Sequence, residues 1–121
     1  MARPEVVRRV KSYSAATGYV YQYYFFEVNR AVRGASSGTE YVYMVSVDRK
    51  TVFPLGIFVR RDALEQWARV NGRALTGTEE YALAKMRLFQ AFDEVEDLAS
   101  ARPDLVVDSS NLETLLTNLG I

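Results

Sequence analysis

The stretch Thr17-Gly18-Tyr19-Val20-Tyr21-Gln22-Tyr23-Tyr24-Phe25-Phe26-Glu27-Val28 decides how the rest of the chain is read. Six of its twelve residues are Tyr or Phe, and Val20 and Val28 add β-branched bulk. Such residues fit a pleated, packed surface, so the stretch reads as a long strand. Side chains alternate along a strand. One face therefore takes Tyr19, Tyr21, Tyr23, Phe25 and Glu27, and the other takes Val20, Gln22, Tyr24, Phe26 and Val28. Both faces are too apolar to lie bare in water, so each needs a cover.

Upstream, residues 1–12 hold Arg3, Arg8, Arg9 and Lys11 against Glu5, with Val6, Val7 and Val10 between them. This basic segment reads as an arm or a short first strand. Its four cations are few for phosphate-backbone binding. Downstream, Gly34-Ala35-Ser36-Ser37-Gly38 is a loop by composition and too short for a crossover, so the next strand returns antiparallel. Its glycines match neither phosphate-cradling pattern. Residues 39–47 form the second strand, Asp48-Arg49-Lys50 a turn, and residues 51–59 a third strand. Pro54 confines that third strand to an edge or a bend.

A two-residue loop at Arg49 and Lys50 pairs 47 with 52, 45 with 54, 43 with 56 and 41 with 58. It sorts Tyr41, Tyr43, Val45, Gly56 and Phe58 onto one face and Val42, Met44, Leu55, Ile57 and Val59 onto the other. A three-residue loop would mix the sets. A one-residue slip moves every side chain across the sheet, so the cleaner segregation favours the shorter loop.

Three helices follow. Residues 62–71 carry Asp62 and Glu65 at capping-box spacing and end at Asn71-Gly72, with Trp67 on the apolar stripe. Residues 77–99 start at a second such pair, Thr76 and Glu79, and repeat Tyr81, Leu88, Phe92, Val95 and Ala99 at helical steps. Lys85 interrupts that stripe, its stem laid on apolar surface and its amine in water. Asp93, Glu94, Glu96 and Asp97 oppose the helix dipole and predict a basic neighbour. Beyond Pro103, Leu105-Val106-Val107 reads as an extra short strand. Ser110 and Glu113 open a last helix with Leu112, Leu115, Leu116 and Leu119, too short to stand alone.

The expected fold is a single α+β domain over residues 1–121. It is an antiparallel three- or four-stranded meander packed by one long and two short helices, with a basic segment at 1–12 and an acidic one at 101–121. Charge follows that division: residues 1–90 hold 14 Lys/Arg and 8 Asp/Glu, a balance of +6, and residues 91–121 hold 1 and 7, a balance of −6. The long helix is expected on the aliphatic face, leaving the tyrosine face to find another cover.

The chain has no cysteine and no histidine. Disulfides, thiolate nucleophiles and Cys-based zinc sites are excluded. So are His-dependent triads and the commonest transition-metal ligand. The reading leans away from an enzyme and assigns no metal and no cofactor. No apolar run reaches the ~18 residues of a membrane span, and the N-terminus lacks an apolar signal region. A cytoplasmic location is therefore expected.

Two constellations could carry function. The first is Tyr19, Tyr21, Tyr23, Tyr41 and Tyr43 on one sheet face, with Trp67 nearby, as a ligand or interface surface. It makes the first reading an assembly module that forms a homodimer through its tyrosines. The second reading is a small-ligand binder or His-independent enzyme with a pocket between sheet and helices. The third, single-stranded nucleic acid stacked on the tyrosines, sits poorly with zero net charge. The other constellation is a polar set at strand ends: Glu27, Glu40, Asp48, Arg30, Arg33 and Arg60. Its spacing is specific to no chemistry.

Overall fold

The computed structural model describes residues 9–121. Most of the basic segment 1–12 lies outside them. Strands β1 (Lys11–Ser14), β2 (Val20–Arg33), β3 (Ser36–Ser46), β4 (Phe53–Arg60) and β5 (Leu105–Val107) form one sheet in that spatial order. The first four make an antiparallel meander. The helices α1 (Arg61–Asn71), α2 (Gly77–Glu94) and α3 (Leu98–Ala101) then carry the chain across to β5, which runs parallel to β4. Helix α4 (Leu112–Leu119) follows. The α+β class holds, but the sheet has five strands and mixed direction. The extra residues are the apolar triplet Leu105–Val107, which finds room beside the outer half of β4.

The β3–β4 register differs from the expected one. Tyr43 pairs with Leu55 and Tyr41 with Ile57, so the hairpin turns about Arg49 itself. Asp48 forces this turn: its carboxylate accepts from the backbone N–H groups of Lys50 and Thr51, at 2.8 and 2.7 Å. That local bonding outweighs the neatness of face segregation. The consequence is large. Tyr41, Tyr43 and Val45 share their face with Phe53, Leu55, Ile57 and Val59, and all seven are buried.

A second irregularity lies in β2. Phe25 pairs with Tyr43 and Glu27 with Val42, which leaves Phe26 as the extra residue of a β-bulge. Up to the bulge, odd-numbered residues of β2 face the core. Beyond it Glu27, Asn29, Ala31 and Arg33 take the opposite face, so Glu27 does not share a side with Tyr21 and Tyr23 as alternation alone had it.

Helix α2 packs on the tyrosine face rather than on a separate aliphatic one. Tyr21 stacks on Phe92 at 4.3 Å, Tyr13 on Phe89 at 4.5 Å, and Phe25 meets Tyr81 edge-on at 5.3 Å. Leu83, Ala84, Leu88, Ala91 and Phe92 of α2 are buried in the same core as Leu112, Leu115 and Leu116 of α4. The Thr76–Glu79 capping box forms in both directions. The helix ends at Glu94, five residues earlier than its periodicity implies, because Val95 turns extended and Asp97 caps the separate short α3.

The other two caps differ from expectation. Asp62 pairs with Arg60 instead of capping α1, and α4 begins after Asn111 without a side-chain cap. Pro54 lies in the part of β4 that has no β5 beside it, where a strand tolerates proline best.

Candidate functional site

Four of the five candidate tyrosines are core residues. Tyr21, Tyr23, Tyr41 and Tyr43 are buried beneath α2, and Tyr19 alone is exposed. They are closed to a second copy and to a stacking base, and their polar ends are handled inside the molecule. Tyr41 donates its hydroxyl to Glu80. On the same face Tyr13 donates to Asp93 at 2.7 Å, and Ala16 N–H donates to that carboxylate at 2.9 Å. Among the described residues, these donors rather than a basic side chain answer the acid near the end of α2. Burial pushes the phenols of Tyr21 and Tyr23 up, and those of Tyr41 and Tyr43 far up. The Tyr43 hydroxyl lies beside Tyr81 and makes no hydrogen bond of standard geometry. Trp67 is buried in the core as the anchor of α1, with the Arg73 guanidinium 5.3 Å over its ring.

Of the polar set only Arg33 and Glu40 come together. Arg33 bridges Glu40 (2.7 Å) and Asp104, and lies 4.7 Å over the ring of Phe58. Asp48 holds the β3–β4 turn, Arg60 pairs with Asp62, and Glu27 and Arg30 are exposed.

The opposite face of the sheet carries the more suggestive site. Register aligns Ser12 of β1 with Gln22 of β2, and Gln22 with Ser46 of β3, in one polar row across three strands. Beside it runs a second row, Tyr24, Met44 and Pro54. Val10 and Val52 close the ends. All of these but Pro54, together with Arg49, line a cleft of about 350 Å³, at the small end of the roughly 300–1,000 Å³ usual for ligand pockets.

Three features set this cleft apart from a plain sheet surface. The Gln22 side-chain oxygen is shut off from solvent and has no hydrogen-bond partner, an arrangement native structures largely avoid. Ser46 is buried, with its hydroxyl accepting from the Arg49 N–H at 2.9 Å. Arg49 is held at φ +64°, a left-handed conformation that a side chain other than glycine, Asn or Asp seldom takes. The turn thereby holds the backbone of a cation that lines a mostly apolar cleft together with Gln22.

None of these lining residues was singled out from sequence as a site. The available signal was Gln22, the one strongly polar residue on its face of the aromatic strand. Compared with protein-family models, with characterised proteins and with solved structures, the chain matches none.

Proposed function

We propose that this protein binds a small amphipathic molecule in the cleft between Gln22, Tyr24, Met44 and Val52. The observation that carries the reading is the buried, unpartnered oxygen of Gln22 in a mostly apolar cleft that Ser12, Ser46 and Arg49 also line. A ligand N–H or O–H reaching that oxygen would remove the desolvation penalty of an unmade hydrogen bond. Tyr24, Met44, Val10 and Val52 suit an apolar body, and Arg49 suits a carboxylate or similar anion. Nothing in the cleft suggests chemistry on the ligand: its charged lining is one arginine, and the nearby Asp48 carboxylate is engaged by the Ser46 hydroxyl and by the N–H groups of the turn.

The test uses 2-naphthoate and octanoate, rigid and flexible acids of suitable size, followed by amide NMR. Saturable shifts centred on Gln22, Met44 and Val52, weakened several-fold by Arg49→Gln and by Gln22→Leu, are expected. Absence of saturable binding by either acid, or equal binding to Gln22→Leu, would reject the reading.

A second reading keeps the self-association expected from sequence but moves it to this open face. Val10, Val20 and Val52 around the cleft are 58%, 47% and 46% exposed, and contiguous apolar exposure of that kind suits an interface. Sedimentation at increasing concentration separates the two. A dimer broken by Val20→Lys and Val52→Lys favours assembly, and a monomer at all concentrations leaves the ligand cleft.

A further inference from the structure

Helix α1 and the turn that leads from β5 into α4 face each other across a groove. Helical spacing puts Asp62, Gln66 and Arg69 on one stripe of α1 and Ala63, Trp67 and Val70 on the next. The facing bank is braced by Asn111, whose side chain accepts from the Asp108 N–H at 3.0 Å and donates to the Val106 carbonyl at 2.8 Å. One end of the groove is a polar hollow of about 260 Å³ whose charged lining is Arg60, Asp62, Arg69 and Asp108. The other is a smaller hollow of about 100 Å³ between Trp67, Val70 and Leu112, with Glu113 beside them. Both are lined by Ala63, Gln66 and Ser109, so they adjoin.

The charges of the polar hollow fall into two pairs. Arg60 grips both oxygens of Asp62, at 3.0 and 2.6 Å, and the two cancel. The other two, Arg69 and Asp108, are of opposite sign. Ser110 gives its N–H and its hydroxyl to Oδ1 of Asp108, and neither goes to Oδ2. Those bonds, with the charges of Arg60 and Arg87 behind them, hold the Asp108 carboxyl below its usual range. We propose that the groove binds a free amino acid with a branched aliphatic side chain. Its carboxylate pairs with the Arg69 guanidinium, its ammonium with Oδ2 of Asp108, and its side chain enters the hollow beside Trp67. A zwitterion answers both charges at once, where a simple anion or cation would meet one of its own sign. Each hollow is smaller than the roughly 300–1,000 Å³ of ordinary ligand pockets, which suits a ligand of amino-acid size. Val70, 77% exposed in the free protein, gains an apolar cover. The groove shares no lining residue with the cleft and stands independently of it.

The chain's one tryptophan lines the smaller hollow, so its fluorescence reports occupancy. L-Leucine, isocaproate and isoamylamine are titrated separately into the full chain, with amide NMR alongside. Leucine should give a saturable change in Trp67 emission and shift the amides of Gln66 and Ser109. Isocaproate, which lacks the amine, and isoamylamine, which lacks the carboxylate, should each bind about tenfold more weakly or worse. Arg69→Gln and Asp108→Asn should each weaken leucine by a similar factor, while Lys50→Gln, in the β3–β4 turn, should leave it unchanged. Should Asp108→Asn disturb the start of α4, the exposed Arg69 still carries the test. No saturable change with leucine at millimolar concentration overturns the proposal. So does binding of isocaproate or isoamylamine as tight as that of leucine, or leucine binding retained in Arg69→Gln.

Discussion

The carboxylate of Glu40 occupies the space that a side chain at Gly56 would fill. A Cβ there would lie 2.8 Å from Oε2 and 3.0 Å from Cδ of Glu40. Glu40 is not free to swing away, because Arg33 holds the same oxygen at 2.7 Å while bridging to Asp104 and covering Phe58. Gly56→Ala should therefore destabilise the protein by about 1 kcal/mol, through displacement of this bridge. In a Glu40→Ala background the same change should be neutral or stabilising, since glycine inside a strand is itself unfavourable by roughly 0.5–1 kcal/mol. A double-mutant cycle on urea unfolding measures the difference. Equal effects in both backgrounds would show that Glu40 is not what keeps residue 56 small.

The buried phenols set an alkaline limit on stability. Burial, helped by Asp93, pushes the Tyr13 phenol up to about 12 from its ordinary value near 10, and Tyr21, Tyr23, Tyr41 and Tyr43 also rise. A raised folded-state value means that the neutral phenol favours the fold. That contribution is complete below the unfolded value and is lost as pH rises from there through the raised folded value. Stability should hold to about pH 10 and then fall, each fully protected phenol adding about 1.4 kcal/mol per pH unit to the slope. Tyr43→Phe should make the decline shallower and leave neutral-pH stability unchanged or slightly raised, because its buried hydroxyl makes no well-formed hydrogen bond. Urea midpoints across the alkaline range, with tyrosinate absorbance alongside, measure both effects. A flat profile through pH 11 would contradict the buried phenols.

Much of the architecture can be read from residues. The aromatic run, the Thr76–Glu79 cap, the triplet Leu105–Val107 and the leucine stripe of the last helix each became the element that local chemistry favours. Two features were hidden because they concern counting rather than propensity. Asp48 added a residue to the turn, and Phe26 added one to β2; each moved side chains across the sheet without altering which segments were strands. Gly38 was read as loop for the same reason. It lies in β3, where a Cβ would meet the Val59 carbonyl oxygen at 2.1 Å, and such closeness appears only once strands are aligned. The cleft was equally hidden. Ser12, Gln22 and Ser46 are far apart in the chain and become a row only through two registers. Lys85 was read as a snorkelling lysine. Its amine lies 5.8 Å from the centroids of both Tyr23 and Phe89, a placement that helical periodicity cannot reveal.

The start of α2 gives a prediction on the acid side. The Thr76 hydroxyl accepts from Glu79 N–H at 3.1 Å, and the Glu79 carboxylate accepts from Thr76 N–H at 2.9 Å and from Arg73 at 2.8 and 3.0 Å. Hydrogen bonding to Arg73, then to the Thr76 N–H, holds Glu79 down to about 2. A depressed folded-state value favours the fold above the unfolded value near 4.5, and that benefit is lost as pH falls toward 2. Thr76→Ala should cost about 1 kcal/mol at neutral pH. Glu79→Gln keeps an acceptor for the cap but cannot titrate, so its urea midpoint should fall less between about pH 4.5 and 2 than that of the parent. Parallel curves for the two proteins would mean that Glu79 is not held in this way.

Gln22 sets ligand binding against stability. Its side-chain oxygen is buried without a partner between Ser12 and Ser46, in a row where an aliphatic residue would pack against Tyr24, Met44 and Val52. An unsatisfied buried acceptor costs on the order of 1 kcal/mol or more relative to an apolar group of similar shape. Gln22→Leu should therefore stabilise the free protein by about 1 kcal/mol while weakening 2-naphthoate and octanoate. Such a trade is expected where a residue is kept for binding at the expense of the fold. Gln22→Glu separates the acceptor from simple bulk. It keeps the size and the oxygen but adds a negative charge to the cleft lining, so it should bind both acids more weakly. If Gln22→Leu instead lowers stability, the amide is satisfied in solution, and the unmet oxygen on which the cleft's reading rests does not exist.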